Sequence, residues 1–219
     1  NTPSNRRLIA CVKSFYKYMF HQGYIETNPS KVLKIPKQTE IIMKRQLSKA
    51  DIQLLRDSCE GKEKLFIELL YCLGVRRDEI RKLKSSDISK HSGVLWFLVT
   101  GKGNKKRQVS LSKAKSIELA PMLESIDGYI FKGRCGAMSA SGMHKMMKRI
   151  SRRAGKPEVS MHWLRHACAS HLLHAGADLA SCRDHLGHAS IQTTNTYLFG
   201  KTDIASFLDW ENTSNNSYV

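Results

Sequence analysis

Apolar residues recur at Leu8, Ile9, Val12, Phe15, Tyr16 and Met19, a helical period over residues 4–23 with arginines and lysines on the other face. Gly23 stops that helix, and Asn28-Pro29 and Ile35-Pro36 punctuate a basic, extended segment running to about Arg45. A domain boundary is expected near residue 40. Ser48-Lys49-Ala50-Asp51 has the form of a capping box, with Asp in the usual place of Glu or Gln, and opens a helix through Cys59. Residues 62–73 are apolar nearly all round (Leu65, Phe66, Ile67, Leu69, Leu70, Tyr71), so this helix should be buried, and Gly74 ends it. Val75-Arg76 then leads into a short helix carrying Glu79, Ile80 and Leu83.

Residues 94–100 are β-branched and aromatic, Gly101-Lys102-Gly103-Asn104 is turn chemistry, and residues 105–111 alternate, which predicts a β-hairpin. A helix over 112–119 should break at Pro121. Another over 139–154 places Met143, Met146, Met147 and Ile150 on one face, as core packing. Ser160 is a candidate N-cap for a helix carrying His162 and Arg165 at i, i+3, side chains expected to leave on one face. His188 follows a Leu-Gly turn, and Tyr197 ends a short segment that Ser190 could cap. Beyond it, Ile204, Phe207, Leu208 and Trp210 form a short apolar element before a polar tail expected to be disordered.

The composition sharpens this. A chain of 219 residues, 41% hydrophobic, can pack one good-sized domain or one domain with a fragment of another. Net charge is +17, which points to a polyanionic partner, nucleic acid first. A simply solvated basic surface is the bland alternative. From Gly101 to Lys115 lie Lys102, Lys105, Lys106, Arg107, Lys113 and Lys115 with no acid among them. Hairpin charges are usually only solvated, but a lysine between two glycines is a mobile cation that can reach into a groove. Cys11, Cys59, Cys72, Cys135, Cys168 and Cys182 show no C-x-x-C spacing and read as buried, reduced thiols of an intracellular protein. No apolar run approaches membrane-spanning length and no signal peptide opens the chain, so no membrane association is expected. Asn1 at the start fits a piece of a longer chain.

Several chemistries compete for the histidine-rich stretch 160–200. His162 and His166 are i, i+4, but the stretch lacks the Glu of H-E-x-x-H, and an arginine between the histidines repels a dication; no metal or other cofactor is expected. There is no G-x-S-x-G and no Walker A loop. A helix-turn-helix reader of DNA, two helices around Gly176, stays open, though it leaves Arg76, His188 and Tyr197 without a role. Arg76 on its own is equally a pinned structural cation or a site residue. The remaining chemistry is phosphoryl transfer by tyrosine. A phenol with a pKa of about 10 needs cationic neighbours or a base to attack near neutral pH. Two guanidinium forks and imidazole donors can bind the charge of a pentavalent transition state without metal. A lysine on a hairpin can protonate the leaving 5′-oxygen.

These residues resemble the catalytic domain of the tyrosine recombinases, the phage integrase and Xer type, over roughly residues 41–200. Gly74-Val75-Arg76-Arg77-Asp78-Glu79-Ile80 is similar to the family's first motif, with Glu79 supporting Arg76; Gly101-Lys102-Gly103 resembles its catalytic hairpin; His162-Trp163-Leu164-Arg165 its H-x-x-R box; Leu186-Gly187-His188 its second histidine; Tyr197 its nucleophile. Leu73, Asp78 and Ser110 depart from the family's usual residues, at positions that carry no catalytic side chain.

The resemblance implies a mainly α fold with a small antiparallel β-sheet. It also implies a site-specific recombinase that cuts and rejoins double-stranded DNA through a 3′-phosphotyrosine, with Arg76, Lys102, His162, Arg165, His188 and Tyr197 catalytic. Lys44, Arg45, Lys105, Lys106, Arg107, Lys145 and Arg149 are the candidate DNA contacts. Residues 1–40 would be the end of an N-terminal core-binding domain and its linker. Residues 201–219 would hold a segment, about 201–210, that docks on a neighbour in a tetramer on DNA, or else packs within its own chain. A cytoplasmic, nucleoid-associated protein of a prokaryote, phage or mobile element is expected. The alternatives are a topoisomerase-like relaxer of the IB type and a non-catalytic DNA-binding regulator.

Overall fold

The computed structural model describes residues 3–34 and 47–187. Lys44, Arg45, His188, Tyr197, the Ser190 cap, the apolar element after Tyr197 and the polar tail all lie outside the described residues. Contacts divide the chain into two units, with the division between Arg45 and Gln46.

The first unit is α1 (Pro3–His21) followed by a 3-10 turn, Pro29–Val32. Asn28 starts that turn as a cap, its Oδ1 accepting from the Ser30 amide at 2.9 Å, and Lys13 Nζ donates to the Leu33 carbonyl at 2.8 Å.

In the second unit the capping box at Ser48 forms as its spacing predicts. Ser48 Oγ accepts from the Asp51 amide at 3.1 Å and Asp51 Oδ2 from the Ser48 amide at 2.9 Å, opening α2 (Lys49–Asp57). The apolar run becomes α3 (Lys62–Cys72), the core's central helix, with Phe66, Ile67, Leu69 and Leu70 fully enclosed. It packs on α2 and on α7 (Met161–His174). Gly74 ends it at φ +56°, where a Cβ would sit 2.5 Å from Leu186 Cδ2 and 3.0 Å from Cys168 Sγ. Only glycine lets the chain turn so close to its neighbours there. After the turn comes α4 (Arg77–Lys82).

The sheet has three antiparallel strands, β1 (Ile88–His91), β2 (Val94–Thr100) and β3 (Lys106–Ser110), in the order β1-β2-β3. The predicted hairpin is β2–β3, Thr100 opposite Lys106 and Trp96 opposite Ser110. Leu95, Phe97 and Val99 alternate into the core. The first strand was not expected: Ile-Ser-Lys-His holds one apolar residue, and what recruits it is the Ser92-Gly93 turn, with φ of +51° and +79°, feeding directly into β2.

A second correction concerns Pro121. The helix α5 (Lys113–Glu124) runs through it to Glu124. Pro121 is exposed, and so is Ile117, four residues earlier, whose carbonyl loses its helical partner; on the solvent face water can replace that bond. A two-residue ladder, β4 (Lys132–Gly133) with β5 (Gly136–Ala137), precedes α6 (Ala140–Arg153). In α6, Met143, Met147 and Ile150 are buried, and α8 (Leu179–Leu186) closes the described chain. The cysteines correct a third expectation: all six are free thiols, but Cys11 and Cys135 are exposed, and only Cys72, Cys168 and Cys182 are buried. The result is a mainly helical domain with a small antiparallel sheet, the predicted class.

Two ionic clusters, each built on a buried glutamate, tie the helices. Glu68, fully buried in α3, accepts from Arg56 Nη2 at 2.8 Å and from Lys115 Nζ at 3.2 Å, joining α2, α3 and α5. Glu63 accepts from Arg149 and Arg153 of α6.

Candidate functional site

Five segments meet where α3 ends, α4 begins, α7 and β3 pass and α8 stops. Arg76 occupies the N-cap position of α4; Glu79, one turn on, accepts from its backbone amide at 2.8 Å and from its Nη1 at 2.8 Å. The remaining fork nitrogen, Nη2, donates to the Gly187 carbonyl at 3.1 Å. Arg76 keeps its side chain 40% exposed, so this cation is held from behind and open in front.

Arg165 comes from α7 and is buried. Its Nη1 donates to the Gly74 carbonyl and its Nη2 to the Leu186 carbonyl at 2.8 Å. Burial, and then the charge of Arg76, push its pKa down to about 10, so it remains a cation at neutral pH. Arg107 from β3 completes the set, its Nε donating to the His185 carbonyl at 3.0 Å. Three guanidiniums therefore cap three consecutive carbonyls, 185, 186 and 187, at the C-terminus of α8. The partial negative charge of a helix C-terminus suits them. The last capped residue is the one before His188.

Glu79 anchors two of these cations. Burial raises its pKa, but hydrogen bonds from Arg107 and the Arg76 amide outweigh that and bring it down to about 2. His185 points back to α3, its Nε2 donating to the Cys72 carbonyl at 3.0 Å, and burial lowers its pKa to about 4. That leaves it neutral in the physiological range.

The expected residues are thus distributed unequally. Arg76, Glu79 and Arg165 meet at the α8 terminus. His162 and Arg165 do not share an environment despite their spacing: Arg165 is buried, whereas His162 is exposed with its Nε2 2.9 Å from Nε2 of His166. Ser160 sits at the N-cap position of α7 without a side-chain capping bond. For Lys102 the backbone is described, in a 3-10 turn (Lys102–Asn104) closed by the Gly101 amide on the Lys105 carbonyl at 2.8 Å.

Among the candidate DNA contacts, Lys105, Lys106 and Lys145 are exposed, and so is Arg149, though its guanidinium is bonded to Glu63. Arg107 is not on that surface: its side chain is 12% exposed and turned onto Glu79. The sequence carried a signal for this. Arg107 and Val109 share one face of β3, and Val109 is buried, so period-2 alternation already places Arg107 inward. His185 was missed as well; it lies three residues after the buried Cys182 on α8.

The family model for the phage integrase family matches residues 43–201. Tyrosine recombinase XerD of Listeria monocytogenes is 32% identical over 210 residues, covering 87% of this chain and 69% of the relative. Tyrosine recombinase XerC of Oceanobacillus iheyensis is 31% identical over 209 residues, covering 87% and 68%. Among solved structures, the XerH site-specific recombinase bound to a palindromic difH substrate in a post-cleavage complex superposes with a TM-score of 0.66 at 25% identity. That match covers 80% of this chain and 57% of XerH, so the chain spans little more than half of that protein. A lambda integrase tetramer bound to a Holliday junction shares the fold, with a TM-score of 0.61 at 17% identity.

Proposed function

The chain belongs to the phage integrase family, the tyrosine recombinases, and from that premise we propose that it cuts and rejoins double-stranded DNA at a specific site through a 3′-phosphotyrosine. The observation that carries the reading is the pair of guanidiniums, Arg76 and Arg165, fixed on the adjacent carbonyls of Gly187 and Leu186. Each cation is already oriented before substrate arrives, and the two repel one another until an anion lies between them. A scissile phosphate supplies that anion, and its charge grows toward the pentavalent transition state.

In this mechanism the Tyr197 oxygen bonds to phosphorus as the bond to the 5′-oxygen breaks. Arg76, Arg165 and His188 hold the non-bridging oxygens, and His162 takes the phenol proton or donates beside it. Lys102 gives a proton to the leaving 5′-oxygen. The incoming 5′-hydroxyl of a second strand then attacks the phosphotyrosine and releases Tyr197. Phosphoester bonds are exchanged one for one, so no hydrolysis of ATP enters the balance.

Lys105, Lys106 and Lys145, exposed in the described residues, supply backbone contacts, together with Lys44 and Arg45. Residues 1–40 act as the end of a core-binding domain, 41–200 as the catalytic domain, and 201–210 as the docking element of a tetramer on DNA, working in the cytoplasm at the nucleoid. No helix among the described residues is long and apolar enough to cross a membrane.

The test is a suicide duplex, nicked near the scissile phosphate, carrying a site selected from random-sequence DNA by the Tyr197→Phe protein. Wild-type protein should give a covalent adduct on a denaturing gel, in EDTA and without ATP, and Tyr197→Phe should give none. Transfer of the bound strand to a second duplex is the expected sequel; relaxation of supercoils without exchange would reassign the chain to a topoisomerase-like role.

A further inference from the structure

Arg107 reaches in two directions from β3. Its Nη1 and Nη2 donate to the two carboxylate oxygens of Glu79, at 3.2 and 2.9 Å, and its Nε donates to the His185 carbonyl at 3.0 Å. Glu79 presents those same two oxygens to Arg76. Gly187 turns flat against the guanidinium at φ +66°: a Cβ there would fall 2.7 to 2.9 Å from the Nη1, Cδ and Cζ atoms of Arg107. Five residues before Arg107 the same hairpin carries Lys102.

We infer that Arg107 is a positioning residue of the strand-transfer site, locking the Glu79–Arg76 pair, the β3 side of the hairpin and the 185–187 turn into one frame. The inference rests on the recombinase reading and goes beyond it, because all three guanidinium nitrogens of Arg107 are turned onto Glu79 and the His185 carbonyl. Geometry makes the residue specific. A planar fork meets a carboxylate with two nitrogens while the third meets a carbonyl on the other side; a lysine ammonium, a point donor on a flexible stem, cannot hold both. Losing the frame shifts Arg76 and the 185–187 turn relative to each other. A displacement of about 1 Å in such a site costs on the order of 10² in rate.

The experiment compares wild type, Arg107→Gln and Arg107→Lys in three measurements: affinity for the selected duplex by gel shift, single-turnover adduct formation on the suicide duplex, and amide exchange of the 183–187 segment. The Gly187 amide normally bonds to the Arg183 and Asp184 carbonyls and should be protected. Expected are unchanged affinity, adduct formation slowed about 10²-fold in both variants, and faster exchange confined to 183–187, with α3 unaffected. Adduct formation at the wild-type rate in Arg107→Lys overturns the inference. So does a loss of cleavage matched by an equal loss of affinity, which would return Arg107 to the DNA contacts, or exchange that does not change. A wild-type protein that forms no adduct defeats the recombinase reading instead, and the exchange result still decides whether Arg107 holds the turn.

Discussion

In the proposed mechanism one side chain, Arg165, serves both fold and chemistry. Its guanidinium donates to the carbonyls of Gly74 and Leu186, two buried residues. Arg165→Ala leaves both acceptors buried and unpaired, at about 1–3 kcal/mol each. By the proposed mechanism it should also slow cleavage by about 10²–10³. Arg76→Ala should cost a similar factor in rate but far less stability, because Arg76 is partly exposed. Urea melts read beside single-turnover cleavage will separate the two; equal stability losses would contradict the assignment.

His185 predicts a pH dependence. Its folded pKa, about 4, lies below the unfolded value of 6.5, so below pH 6.5 the unfolded chain binds the proton first. Stability from this residue is complete above pH 6.5 and is lost as pH falls toward 4, by about 3 kcal/mol. The difference in unfolding free energy between wild type and His185→Gln, measured from pH 7 to 4, should shrink over that window. A constant difference would show that His185 is not held neutral.

At the scale of elements, α3 and the α8 terminus organise the site: one supplies the Gly74 turn, the other the three capped carbonyls. Gly74→Ala should be strongly destabilising, since the residue needs positive φ and its Cβ would overlap Leu186 and Cys168. The Glu68 cluster is the other test at this scale. Glu68→Ala removes the buried carboxylate that Arg56 and Lys115 share, Lys115 keeping its bond to Glu118, and should cost about 3–5 kcal/mol. Thermal melts of both variants check this, and a wild-type midpoint for either would contradict the packing described.

Most of these elements were legible in the sequence, because hydrophobic period and caps are local signals. The apolar run of α3, the Ser48 box, the β2–β3 alternation and the glycines at 74 and 187 each declare themselves within a few residues. What stayed hidden depends on neighbours distant in the chain. The strand β1 is too polar to announce itself without β2 beside it, and Pro121 ends no helix because the Ile117 carbonyl it leaves unpaired is on the exposed face. Arg76, Glu79 and Arg165 could be named from motif spacing, but not the carbonyls that orient them. Arg107 read as one cation in a basic hairpin, since its partners, Glu79 and His185, lie 28 and 78 residues away.

Over the whole molecule, a net charge of +17 must meet its counter-charge outside the chain. If binding neutralises about 6–10 phosphates, affinity should fall by about 10³–10⁵ between ~50 and ~200 mM salt. A flat salt response would argue against a phosphate-tracking surface. The proposed mechanism is narrower than DNA binding: in it one phenol becomes covalently joined to one DNA end, beside the cations assembled at residues 185–187. The most direct measurement is digestion of the suicide-duplex adduct, followed by mass spectrometry of the DNA-linked peptide and mapping of the joined end. Expected is a single peptide containing Tyr197 attached to a 3′-phosphate, with a free 5′-hydroxyl on the released strand. An adduct on another residue, a 5′-phosphate linkage, or cleavage with no protein attached would contradict it.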